Sequence, residues 1–176
     1  MKYKIIAAFF GLICVFSLCG KEKIGNQPIV LIAKDEPIDF LKQTLFYAQA
    51  LGLDSTAVIR VVFTLKMQGN KDGLIIHNDI GGPFQRHQVT IWINKRQSFS
   101  TQSMVLAHEM IHAQQYISRK LVRNKSSYFS WNGKPLRNIK NIRYENRPWE
   151  IEAKNKAFEL RRDYLQSQKI KSSDST

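Results

Sequence analysis

The order of apolar and polar positions divides the chain into segments of different period. From Pro37 onward, Phe40, Leu41, Leu45, Phe46, Ala48 and Leu51 fall on one face of a helix, and Gly52 supplies its stop. Val58 to Met67 reads as a buried strand and Leu74 to Ile80 as a second. The dense turn signal Gly69-Asn-Lys-Asp-Gly73 between them predicts a hairpin of the two, and Gly81-Gly-Pro83 breaks the second run. Val89-Thr-Ile-Trp-Ile-Asn94 alternates as a third strand, with Ile91 and Ile93 on its apolar face. Ser98, Ser100 and Thr101 beyond it are candidate helix N-caps.

Across Thr101 to Val122, Leu106, Met110, Ala113, Ile117 and Leu121 are spaced four, three, four and four apart, which is helical spacing. Gln114-Gln115-Tyr116 continues that helix. Asn132-Gly133, flanked by aromatics within Ser127 to Leu136, marks a short hairpin. Pro148 stands where a helix start tolerates it, before a last helix over Glu150 to Gln168, and Ile170 to Thr176 reads as a frayed tail. Helices and strands in this order, with no internal repeat, predict a small α+β domain with a short mixed or antiparallel sheet.

The amino terminus follows other rules. Met1-Lys-Tyr-Lys4 and the apolar run Ile5 to Cys19 form the basic and hydrophobic regions of a signal peptide, and the run is shorter than the roughly 20 residues of a membrane span. The segment Phe16-Ser17-Leu18-Cys19-Gly20 resembles the lipobox of bacterial lipoproteins. That leaves two alternatives: acylation of Cys19 with attachment to a membrane, or ordinary cleavage nearby. The expected organisation is a signal peptide over residues 1–18, a tether over 19–34, the domain over 35–168 and a flexible tail over 169–176. The expected location is the cell envelope or the exterior.

With 176 residues and 43% hydrophobic content, the chain has room for one core. Its 27 Lys and Arg against 14 Asp and Glu give a net charge of +13, and from Arg119 onward 15 basic residues face 6 acidic ones. Such a field attracts acidic polymers or lipid headgroups. There is no zinc-finger spacing and no aromatic RNA-binding signature, so no nucleic-acid partner is expected. Both cysteines, Cys14 and Cys19, lie in the amino-terminal segment, so a metal in the domain must be held by His and carboxylates.

The chemistry is concentrated in His108-Glu109-Met110-Ile111-His112. Residues four apart on a helix project in nearly the same direction, so two imidazoles can grip one zinc ion while Glu109 reaches its water as general base. At these residues the sequence resembles the zincin metallopeptidases. The metzincin branch is excluded, because Gln115 and Ser118 stand where it carries Gly and a further ligand. The gluzincin branch takes its third ligand from a Glu on a later helix, and Glu150-Ile-Glu152-Ala153 is similar to that pattern. The resemblance implies a zincin-like fold, Zn2+ on His108, His112 and Glu150, and Glu109 as catalytic base. Glu152 and, in Glu159-Leu-Arg-Arg-Asp163, Glu159 are the rival ligands.

Lys154 stands where many gluzincins carry an Asp that orients a zinc-bound His, so that role falls elsewhere or is missing. Tyr144, ahead of Tyr116, Arg143 and Arg147, is the candidate donor to a developing oxyanion, and a His outside the motif, His77 or His87, is another. Val89 to Asn94 is the candidate edge strand for an extended substrate. The reading that results is an exported zinc metallopeptidase acting on a peptide or protein. The alternative is a non-catalytic envelope binding or scaffold protein with a basic contact surface. The sequence leaves the oligomeric state open.

Overall fold

Local signals place most elements, and burial decides how they assemble. The structure, a computed structural model, describes residues 28–32, 36–67, 71–80, 86–123 and 129–173. The proposed signal peptide and Cys19 lie outside these. In chain order the elements are β1 (Ile29–Ile32), α1 (Ile38–Ala50), β2 (Ala57–Thr64), β3 (Gly73–Ile80), β4 (Arg86–Asn94), α2 (Phe99–Ile117), β5 (Leu121–Arg123), β6 (Phe129–Trp131), β7 (Lys134–Leu136) and α3 (Pro148–Ser173). Two short 3-10 turns, Ile139–Asn141 and Tyr144–Asn146, precede α3. The result is a mixed α+β fold with three helices and two sheets.

Helix α1 ends as its glycine predicts. Gly52 takes φ of 66°, its N–H donates to the Gln49 carbonyl, and the Leu53 N–H reaches back to the Ala48 carbonyl at 2.9 Å. These are the paired bonds of a Schellman stop, which satisfy carbonyls the helix leaves open. Of the three candidate caps before α2, Ser98 is the one used, and its Oγ accepts from the Thr101 N–H at 3.2 Å. The Asn132-Gly133 hairpin forms as expected, with φ of 51° and 74° at its two central residues.

The larger sheet departs from the expected hairpin. Its order is β1-β2-β4-β3, with β1, β2 and β4 parallel and β3 antiparallel to β4. Strands β2 and β3 are therefore not neighbours. Ala57, Ile59 and Val61 on β2 and Val89, Ile91 and Ile93 on β4 are all buried, whereas β3 carries half-buried residues and the exposed Ile76. The two strands that must be covered take the middle, and the less apolar strand takes the edge. Ile29–Ile32, read as part of a tether, instead pairs with β2 as the other edge.

Two helix boundaries also shift. Helix α2 stops at Ile117, and Leu121, counted in its stripe, is buried in β5. Helix α3 runs on to Ser173, past the expected start of the tail.

Helices α1 and α2 pack together, α2 lies on β3 and β4, and α3 packs against α2 and α1. Tyr47 on α1 is fully buried in this core. Burial favours its neutral phenol and pushes the pKa from 10.0 up to about 12. Its contribution to stability is therefore intact below pH 10.0 and lost as the pH rises toward about 12, where the unfolded chain ionises and the folded one does not. Tyr47→Phe should lose less stability than the parent across that window, by roughly 2 kcal/mol. Denaturant titrations at neutral and alkaline pH measure this, and equal losses in both proteins would contradict it.

Candidate metal centre

Helix α2 is enclosed on almost every side: Gln102, Ser103, Leu106, Ala107, Glu109, Met110, Ile111, His112, Ala113 and Gln115 are all buried. Its polar residues must therefore find partners within the protein. His108 and His112, one turn apart, turn their rings nearly perpendicular, with Nε2 atoms 3.1 Å from each other. Glu150, in the first turn of α3, brings Oε2 to 3.4 Å from His108 Nε2 and 3.3 Å from His112 Nε2. Three donors around a tetrahedral zinc at about 2.0–2.2 Å stand roughly 3.3–3.6 Å apart. The two distances to Glu150 fall in that range and the 3.1 Å between the imidazoles just below it, so the group comes close to the spacing and has the donor types of a small-cation site. The three ligand atoms form the group among the described residues that could hold a metal ion.

Tertiary packing brings Glu150 to the histidines. Trp149 is buried, stacks on Phe129 of β6 at 5.2 Å and lies 6.3 Å from Trp131, so the small sheet anchors the start of α3. Ala153 and Ala157 are buried where α3 meets the core, and their small side chains let the helices approach closely. Further along, Arg161 donates to Ser100 Oγ at 2.9 Å and to Ser103 Oγ at 3.3 Å, and Ser103 donates to Gln43 Oε1 at 2.8 Å. That chain ties all three helices together.

The electrostatics follow from burial among charges. For Glu150 burial alone would raise the pKa, but hydrogen bonds from His108, His112 and Tyr144 hold it well below the usual carboxylate range. Burial lifts Glu109 above that range, with His112 and His108 opposing it. Burial would lower the pKa of His112, but Glu150 and Glu109 outweigh it and raise it. Tyr144 is 59% exposed, and partial desolvation and the Glu150 carboxylate nearby push its ionisation up.

The structure thus brings together His108, Glu109, His112, Glu150 and Tyr144. It turns the two rival carboxylates elsewhere. Glu152 is held by Lys120 at 2.6 Å, Lys156 at 2.7 Å and Gln115 at 3.1 Å. Burial would raise its pKa, yet these partners bring it down to about 2. Glu159 is exposed on α3. His77 and His87 stack on each other at 5.9 Å, and His77 stacks on Tyr116 at 5.1 Å. Arg147 lies over the Tyr144 ring at 5.1 Å, and Arg143 is exposed.

Gln115, expected only to continue the helix, has a further part. Its Nε2 donates to the Trp149 carbonyl and to Glu152, both at 3.1 Å, which fixes the amide so that Oε1 faces His112 Nδ1 at 2.7 Å. The Nδ1–H must then donate, leaving the Nε2 lone pair directed at the other ligands. Gln115 thus fixes the His112 ring, the part for which Lys154 offers no acceptor. The available signal was the three-residue spacing from His112, which puts both on one helix face.

The edge strand differs from expectation too. Val89–Asn94 is paired on both sides, by β2 and β3, so it has no free edge. The edge near the site is β3. A Cβ at Gly73, its first residue, would come within 2.7 Å of Glu109 Oε1 and 2.5 Å of Val105 Cγ1, so only glycine allows the strand this close.

No protein-family model matches the chain, and no curated protein or solved structure matches it. Fold and site define its class: a mixed α+β domain with a two-histidine, one-glutamate group, His108 partly exposed and the other two buried, that could hold a metal ion.

Two substitutions probe this arrangement. Gln115→Leu should weaken the affinity of the His108–His112–Glu150 group for a divalent ion about 10- to 100-fold in a chelator competition, and unchanged affinity would remove the orienting role. Gly73→Ala should cost about 1–3 kcal/mol in chemical denaturation, because the strand or Glu109 must move, and parent-like stability would show that neither has to.

Proposed function

We propose that the protein is an exported zinc metallopeptidase of the gluzincin type, with a zincin-like fold. The observation that carries this reading is the convergence of His108, His112 and Glu150, from two helices, beside the buried carboxylate of Glu109. A zinc ion bound there supplies a Lewis acid for the scissile carbonyl and lowers the pKa of water. His108 and His112 present their Nε2 lone pairs, and Glu150 contributes the negative charge that makes the group suit a dication.

Glu109 accepts the proton of the attacking water and returns it to the leaving amine. Tyr144, an exposed residue near Glu150, is the donor to the developing oxyanion. Strand β3, an edge of the larger sheet among the described strands, with its first residue against Glu109, is the strand along which an extended peptide pairs.

Metal analysis of the purified protein should find about one zinc per chain, lost in both His108→Ala and Glu150→Ala. Glu109→Gln should keep the metal and lose peptide hydrolysis about 100- to 10,000-fold. A parent without zinc under metal-replete conditions, or full activity in Glu109→Gln, would overturn the proposal.

A further inference from the structure

Helix α3 has a second face that the core does not use. Its inner side buries Ala153, Ala157, Leu160 and Tyr164. On the outside, Ile151, Lys154, Phe158, Arg162, Leu165 and Lys169 follow one another at intervals of three, four, four, three and four residues, a single line along the helix. Apolar and basic residues alternate along it. All six are exposed, with Ile151 at 47%, Phe158 at 63% and Leu165 at 42% of full exposure. The cations are not there to neutralise the helix's own acids. Among the described residues Lys154 and Lys169 have no ion pair, and only Arg162 touches one, Asp163, at 3.2 Å.

We propose that this face lies on an anionic lipid surface. The apolar tips enter the boundary between headgroups and acyl chains while the lysine and arginine stems extend to the phosphates, which accounts for both residue types along one line. A second copy of the chain is a poor occupant, because pairing two such stripes would bring like charges together. Three apolar side chains and three cations make a weak attachment by themselves. It is of the strength that acts beside a lipid anchor, the alternative that the sequence leaves open at Cys19. The proposal stands apart from the metal centre, which lies on the buried side of α3.

The test uses the chain from Cys19 onward, without the apolar leader, with Cys19→Ser and Leu165→Cys, the new cysteine carrying an environment-sensitive bimane dye. Its emission should shift to the blue on vesicles of phosphatidylcholine with phosphatidylglycerol and not on phosphatidylcholine alone, and salt should weaken the effect. Adding Lys154→Glu, Arg162→Glu and Lys169→Glu should raise the lipid needed at least 100-fold, with helix content by circular dichroism unchanged. The same dye at Glu159→Cys, off the line, should not respond.

No shift on anionic vesicles, or an equal shift on neutral ones, overturns the proposal. A shift with rising protein concentration and no lipid would assign the face to self-association. A response to polyglutamate but not to vesicles would assign it to an acidic polypeptide. Either result would also overturn it.

Discussion

A helix covered by a sheet on one side and by other helices on the next keeps little of its surface in water, and most of α2 is in that position. Its apolar residues gain from this, because each buried side chain contributes on the order of 1.5–3 kcal/mol. Its polar residues lose solvation and must be repaid inside the protein. Ser103, His112 and Gln115 find their partners on α1 and α3, and those partners turn a helix face into a candidate site.

The same constraint explains why the charges near His112 are arranged in layers. Glu150 is the carboxylate in direct reach of both imidazoles. Gln115, a neutral amide, stands behind His112, and Glu152 with its two lysines stands behind Gln115. An acid in the place of Gln115 would put a third carboxylate near Glu109 and Glu150, whereas an amide fixes the imidazole without adding charge. The Lys120–Glu152–Lys156 group then lies at the rim, where water shares the cost of the charges.

Helix α3 makes three kinds of contact with different stretches. Its first turn offers Glu150, its small residues Ala153 and Ala157 allow close packing on the core, and Arg161 crosses to Ser100 and Ser103 on α2. Rotating or sliding α3 by one residue would break all three at once. Trp149, wedged against the aromatic hairpin, opposes that motion. The site is therefore held by two sheets that do not contribute ligands to it.

What the sequence determined by itself was local. His108 and His112 could be paired because helical geometry fixes what lies four residues apart, and Gly52, Ser98 and Asn132-Gly133 could be placed because each acts on its own turn. Glu150 was found through a short motif, with Glu152 and Glu159 as rivals that no local rule could dismiss. Tertiary structure decided the rest. The place of β4 between β2 and β3, the recruitment of Ile29–Ile32, the closeness of Gly73 to Glu109 and the amide of Gln115 behind His112 all join residues distant in the chain or depend on a partner that is. Pairings of that kind are chosen by which faces must be buried together, and that is a property of the assembled core rather than of any segment within it.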